Sequence, residues 1–419
     1  MSLLRSRGFH EVHVNLADLE AILRRQGDPL LSKLFLHQLA SCPECYRRAG
    51  EVLDLYREGW LPTAELTRGG IALARSRRSA PQLLEQLEAW PFLEQMERLR
   101  RGGSFASWGL AELLCRRSLS TAAEDANGAL EYAFLAEEIA KGARCSGLQD
   151  SARSELAMLV SAHIGNGLRL NERLSAAQEL FDTAEGHWAS IPTPQLPYRP
   201  WVLSLRAGLE IEAGRLDFAL GELLHAHRLL DDAPHPFATA MDEHALRTRL
   251  FLQEARLRAL QDQWDRALRL QQRAQDLLSK LPENDLSTPH LETESRLLQA
   301  STLADLGRLD DALASLDAGL PSNPLDDLRK LWLSARIQRH RGGVAQARES
   351  LEQVRRGFLR HRLLDAARIV TLELVELLLE HGDSDRARRL AAECAAPVGE
   401  GVEKKIPHWH PGELLPSTL

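Results

Sequence analysis

The chain has 419 residues, more than one ordinary globular core holds, so it divides into two or three domains or extends as a solenoid. It is 44% hydrophobic, 26% charged and 5% aromatic, and Leu, Ala, Glu and Arg crowd out β-branched runs, which predicts an all-α protein. The formal net charge of −7 argues against a surface whose main work is to hold nucleic-acid backbone. Arginine clusters at Arg75, Arg77 and Arg78 and at Arg98, Arg100 and Arg101 keep a nucleic-acid-associated regulator open as an alternative, although carboxylates are interleaved around the second. No stretch approaches the roughly 18 to 20 apolar residues that span a bilayer. Residues 1–10 carry arginines but no apolar core of a secretory leader. Five cysteines form an odd, sparse set without framework spacing, which fits a reducing, bacterial cytoplasm.

The first 60 residues read as a small helical module. Leu16, Leu19, Ile22 and Leu23 mark one amphipathic helix, and Leu30, Leu31, Leu34, Phe35 and Leu36 mark a second that ends near His37. There the sequence is His37-x4-Cys42-Pro-Glu-Cys45. Pro43 is favoured in the first turn of a helix, so Cys42 is the expected N-cap of a third helix running through Leu55. A helix N-terminus stabilises thiolate, the form that binds zinc, and Cys42 and Cys45 share one turn. A tetrahedral structural zinc needs a fourth ligand, for which His13 is the first candidate and His10 the reserve. The arrangement resembles the zinc-binding anti-sigma factor fold over residues 10–58, with one more residue between His and the first Cys than the common form. That resemblance implies a Zn2+ held by His13, His37, Cys42 and Cys45, and a sigma factor or other signalling protein as partner. Metal-free packing of the same residues, or a redox Cys-x-x-Cys, is the alternative.

Residues 61–149 hold amphipathic segments near 81–101, 104–118 and 124–141, with Phe105, Trp108 and Leu113 on one side of the second. These are the expected linking and capping layers of a solenoid. From residue 150 to 396 a motif recurs: a small residue at a turn, then an Ala five positions on. Residues 214–219 read GRLDFA and residues 307–312 read GRLDDA; Gly342 with Ala347 and Gly382 with Ala387 keep the spacing. Asn171 with Ala176 and Asp262 with Ala267 are copies in which the Gly is replaced. Pro-rich punctuation at Ile191 to Pro200, Asp231 to Pro236, Pro282 to Pro289 and Pro321 to Pro324 separates the units. This stretch resembles the tetratricopeptide-repeat (TPR) superfamily in a degenerate form, with every step longer than the 34-residue period of the strict repeat. The resemblance implies a right-handed solenoid of antiparallel helix pairs. Residues 397–419 lose the pattern and read as a tail.

In the TPR superfamily the first helix of each pair lines the concave face. On those helices Arg206, Arg247, Arg249, Arg256, Arg296, Arg336 and Arg339 are the candidate partner-binding residues. They would suit an acidic peptide or a C-terminal carboxylate, because guanidinium groups fork over carboxylates. Phe9-His10-Glu11-Val12-His13 falls one residue short of the zinc-protease pattern. His408 and His410 lie in the tail, and Cys115, Cys145 and Cys394 stand singly, as small buried hydrophobes do. No catalytic constellation emerges. The sequence therefore points to a non-enzymatic regulatory adaptor that binds proteins, with an accessory subunit of an enzyme complex as a further alternative.

Overall fold

The computed structural model describes residues 42–60, 68–101, 103, 105–122, 124–232, 240–281, 288–317, 323–361 and 363–395. Among them every regular element is an α-helix. In chain order these are α1 (Pro43–Arg57), α2 (Arg68–Glu88), α3 (Phe92–Arg100), α4 (Trp108–Thr121), α5 (Ala126–Gly142), α6 (Ser151–Leu170), α7 (Leu174–Ala189), α8 (Arg199–Glu212) and α9 (Leu216–Asp231). They continue with α10 (Ala240–Leu260), α11 (Trp264–Leu278), α12 (Thr288–Asp305), α13 (Leu309–Asp317), α14 (Pro324–His340), α15 (Val344–Arg360), α16 (Leu364–Glu380) and α17 (Ser384–Ala395). No described helix is long and apolar enough to cross a membrane.

Six hairpins, α6–α7 through α16–α17, turn on one local device. The second residue past the first helix takes a left-handed conformation, at Glu172, Gly214, Asp262, Gly307, Gly342 and Gly382, with φ between 58° and 82°. Its N–H donates to the carbonyl three residues back, as Gly214 does to Ile211 and Gly307 to Ala304. The next N–H reaches five residues back, Arg215 to Glu210 at 2.8 Å and Arg308 to Leu303 at 2.9 Å. These bonds occupy carbonyls that a helix end leaves open, and the left-handed residue reverses the chain. Glycine adopts that conformation without penalty, which is why it holds four of the six positions. The sequence places the first of these turns at Asn171; the structure puts it one residue later, at Glu172, because Asn171 is held in the preceding cap by its side chain, whose Nδ2 donates to the carbonyls of Gly167 and Ala126.

Five residues past each left-handed position a buried Ala lets the second helix close on the first: Ala177, Ala219, Ala267, Ala312, Ala347 and Ala387. Gly165 on α6 adds to this, since a Cβ there would meet the Phe181 ring of α7 at 3.1 Å. Pro200 and Pro324 start the next first helices, where a missing N–H does no harm. The first helices also lie side by side, α4 on α6, α6 on α8, α8 on α10, α10 on α12 and α12 on α14, while the second helices flank them. The chain is an all-α solenoid of TPR-like antiparallel helix pairs.

Ahead of the repeats, α2 runs from residue 68 through Pro81, where the sequence suggested a helix start, and a separate α3 follows. One apolar cluster continues from Leu73 on α2 to Leu209 on α8. Inside it, Arg77 on α2 makes two 2.7 Å hydrogen bonds to the Glu112 carboxylate on α4. Tyr198, just before α8, donates its hydroxyl to the same carboxylate, and Trp108 Nε1 donates to the Tyr198 oxygen at 2.8 Å. At Gly109 a Cβ would fall 2.4 Å from the Ser76 backbone, so α2 and α4 cross at near-backbone contact.

The row of first helices curves far enough for distant parts to meet. The Glu172 carboxylate, in the α6–α7 turn, accepts a 2.9 Å hydrogen bond from the backbone N–H of Asp365 in the first turn of α16. Two expectations follow from these contacts. Glu112→Ala leaves the Arg77 guanidinium buried beside a missing carboxylate and should cost about 3–5 kcal/mol of stability by urea denaturation; a cost near zero would remove the network from the core. Glu172→Ala should cost about 1 kcal/mol, and its amide-exchange protection loss should be concentrated at the start of α16.

Candidate functional site

Side chains from first helices that are not neighbours in the row converge on one face, which identifies that face as the concave one. Arg249 on α10 lies within electrostatic reach of Arg169 and His163 on α6, and of Glu294 on α12. His290 on α12 senses both Arg249 and, on α14, Arg329. Glu294 faces Arg249, Arg256, Arg329 and Asp326. Arg249 and Arg256 are seven residues apart on α10, and His290 and Glu294 four apart on α12, so each pair shares one helical face.

Part of this polar face is internally satisfied. Arg169 donates to Asn166 Oδ1 at 2.8 Å and pairs with Glu212 at the end of α8. Ser204 Oγ donates to Gln253 Oε1 at 2.7 Å, joining α8 to α10. Asp326 holds Arg329 Nη1 at 2.7 Å. Farther along, Arg336 stands 3.8 Å from Asp305 and 3.6 Å from Glu373, whose other oxygen accepts from Trp332 Nε1.

The rest is not satisfied. His163 Nδ1, Asn166 Nδ2, Arg249 Nη1, His290 Nε2, Glu294 Oε2 and Arg329 Nε and Nη2 are shut from solvent and have no hydrogen-bond partner among the described residues. Arg249 is 2% exposed and Arg329 4%, and Arg249 also stands 6.0 Å from the Trp201 ring on α8. A buried donor without a partner costs on the order of 1–3 kcal/mol, more when charged, so seven such atoms on one face are a concentrated cost, although single buried atoms elsewhere, such as Ser118 Oγ, Arg199 Nε and His227 Nε2, are also without a hydrogen-bond partner among the described residues.

Burial shapes the protonation of the cluster. It pushes the Glu294 carboxyl up to about 7, against the opposing pull of Arg249, Arg256 and Arg329. It lowers His163 to about 3 and His290 well below the usual histidine range, with Arg249 repelling the charged form of both, so both rings are neutral. Arg249 itself is lowered to about 10 by burial, Glu294 partly offsetting the effect.

Of the seven arginines singled out in the sequence, Arg249 and Arg256 join this cluster, and Arg336 lies farther along with Glu373. The others do not join it. Arg206 faces Glu185, Glu210 and Glu222; Arg247 pairs with Asp231 and Glu243; Arg339 pairs with Glu376 and Glu380. Arg296 is half-buried on α12, where its carbonyl accepts from Ser315 of α13. His163, Asn166, His290, Glu294 and Arg329 escaped the sequence reading, because polar residues on a helix look like a solvated face until both sides of that helix are known to be covered. The i, i+4 pair His290 and Glu294, in line with Ser301, was the available signal.

At the N-terminal end, α1 begins as expected, with Cys42 at the N-cap in extended conformation, Pro43 in the first turn and Cys45 buried. His10, His13 and His37 lie outside the described residues, and among the described residues no three potential ligands come together. The arginine clusters that kept nucleic acid open are matched by carboxylates: Arg75 with Glu51, Arg78 with Glu58, Arg98 with Glu94, Arg100 with Glu138 and Arg101 with Glu97. Cys115 is buried, and burial pushes its thiol up; the half-buried Cys145 thiol is pushed up to about 11, again by burial. Neither is a poised nucleophile.

The raised Glu294 carboxyl carries a pH dependence. A carboxyl that binds its proton more tightly folded than unfolded favours folding at low pH, and loses that contribution as pH rises from the ordinary 4.5 through about 7. Glu294→Gln should therefore raise the melting temperature relative to wild type at pH 8 and gain little or nothing at pH 5. A pH-independent difference in calorimetric melts would show that Glu294 does not titrate this way.

No protein-family model matches the chain, and no curated protein matches it. Among solved structures it is similar to a Rap protein, solved as a complex with competence and sporulation factor. The TM-score is 0.52 at 12% sequence identity, covering 68% of this chain and 75% of that one, a likeness of fold.

Proposed function

We propose that the protein is a non-enzymatic regulatory adaptor that holds a segment of a partner protein on the concave face of its solenoid. The observation that carries this is the set of buried, unsatisfied donors and acceptor on α6, α10, α12 and α14. Groups that stabilise a fold are paired within it; groups left open on a concave face are complementary to something that arrives. The fold's likeness to a Rap protein solved in complex with competence and sporulation factor supports a protein-binding role. A bacterial cytoplasm suits such a regulator.

The N-terminal module would dock a second partner, a sigma factor or another signalling protein, with His13, His37, Cys42 and Cys45 holding a structural zinc. Support for this comes from the first turn of α1. Cys42 at the N-cap and Cys45 three residues on belong to one turn. The helix N-terminus favours the thiolate that zinc requires. Zinc there would fix the approach of the preceding chain to α1.

Each half of the reading has its own measurement. A photo-crosslinking phenylalanine replacing Arg256, inside the curve, should capture a protein in the native host. The same residue at Asp276, exposed on α11, should not, and capture from Asp276 alone would place the interface elsewhere. Elemental mass spectrometry of the chelator-washed full chain should find about one zinc, absent from Cys42→Ser/Cys45→Ser. No zinc in either sample would leave residues 1–60 without a metal role.

A further inference from the structure

The last repeat leaves a packing surface uncovered among the described residues. Gly342 and Gly382 close equivalent turns, so α16 repeats α14 in register, with Leu372 in the place of Trp332 and Leu379 in that of Arg339. On α14 these two positions reach forward to the next first helix. Trp332 donates Nε1 to Glu373 at 2.8 Å, and Arg339 pairs with Glu376 and Glu380. Trp332 is accordingly 2% exposed, whereas Leu372 is 39% and Leu379 54% exposed. Arg368, Leu372, Val375 and Leu379 follow one another by four, three and four residues, the spacing that keeps side chains on one face for a second helix to pack against. The Glu172 contact lies in the first turn of α16, so this face runs from Arg368 to Glu380.

We propose that this face of α16 pairs with the same face of a second copy of the chain, the two helices running antiparallel. The charges along it select that occupant. Arg368, half-buried, lies in the N-terminal half of α16, and the exposed Glu376 and Glu380 lie in the C-terminal half. Antiparallel pairing centred between Leu372 and Val375 sets Arg368 of each protomer beside Leu379 and Glu380 of its partner, so two ion pairs flank an apolar middle. Parallel pairing would instead bring Arg368 to Arg368 and Glu380 to Glu380. A surface that complements itself when reversed end for end is what a two-fold axis requires. Glu380 already pairs with Arg339, but a carboxylate has several acceptor positions and can hold a second guanidinium. Arg368 stands 3.5 Å from Asp365, a loose pair that leaves its fork available to the partner. One helix from each side makes a small interface, so the dimer should form in the micromolar range and dissociate on dilution. It uses none of the open groups on α6, α10, α12 and α14, and so stands or falls apart from the adaptor reading.

The experiment uses the full chain, with association read by sedimentation velocity over a concentration series and folding by circular dichroism. Wild type should pass from monomer to dimer as concentration rises. Leu379→Asp, at an exposed position, should weaken the dimer by about tenfold or more and leave the helical spectrum unchanged. Arg368→Glu and Glu380→Arg should each stay monomeric where wild type pairs, because each homodimer would hold two like-charge contacts. Mixing these two variants should restore dimers, since both contacts then join opposite charges; a local loss of structure would not be rescued this way. With a photo-crosslinking phenylalanine replacing Leu379, a cross-link to α16 of a second chain is expected. A cross-link to residues 396–419 of the same chain, or to a different protein, would overturn the second copy as occupant. Wild type that stays monomeric through the series would overturn the dimer itself. A dimer that Leu379→Asp leaves intact would overturn this face as its seat, and mixed variants that fail to pair would overturn the antiparallel arrangement.

Discussion

The hydrogen-bonded stop at the end of each first helix is the constraint on which the architecture depends. A left-handed residue, one bond reaching three residues back and another reaching five, set the direction in which the second helix leaves. With that direction fixed, the residue five positions on always faces the first helix, and a side chain larger than a methyl group there would push the pair apart. Because the same stop recurs, each pair presents the same side to the next, and first helix packs on first helix along the row. Two of the stops use residues other than glycine. Asp262 is of a type that tolerates the left-handed region. Glu172 is not, and its carboxylate caps the start of α16, nearly two hundred residues downstream. The strain of one turn thus sits beside a contact between that turn and the start of α16.

Curvature has an electrostatic consequence. First helices covered by partners on both flanks, and meeting each other across a concave face, lose access to bulk water on nearly every side. A charge placed there must be paired or carry a desolvation penalty. The chain does both, in separate places. Arg77 with Glu112 and Arg169 with Glu212 are closed pairs that tie neighbouring helices. Arg249, Glu294 and His290 are open, though they lie within reach of one another.

Much of the fold was legible because its signals are local. The Gly-to-Ala spacing at 214–219, 307–312, 342–347 and 382–387 encodes a turn and a close contact within one hairpin, and the structure has both. The repeat at Asn171 was displaced by one residue since two adjacent alanines, Ala176 and Ala177, offered two registers; 0% exposure at Ala177 settles it. The site was less legible. Arg249 and Arg256 could be found from helix position alone, but Arg329 and Glu294 matter because of residues on neighbouring repeats. Nothing near Glu294 in the sequence reveals that three arginines from α10 and α14 face it. Arg206 and Arg339 fall outside this cluster for a reason the sequence also hides. Their carboxylate partners, such as Glu185 and Glu380, lie on other helices.

Open charges are more useful for recognition when their dehydration has already been met by folding. In a solvent-exposed groove an incoming carboxylate must strip water from each arginine, and that loss cancels most of the gain. On this concave face Arg249 and Arg329 are already dehydrated, on helices α10 and α14 that pack to either side of α12. A ligand that completes their hydrogen bonds gains the interaction while losing only its own hydration. It also removes a penalty that the empty protein carries, so binding and stability should rise together. The same arrangement discriminates. A segment that brings an apolar group to this point leaves the donors open, and one that brings a cation meets three guanidiniums. On the proposed reading, selectivity would come from charges left open on the concave face, while the apolar contacts between repeats supply the stability that offsets their burial.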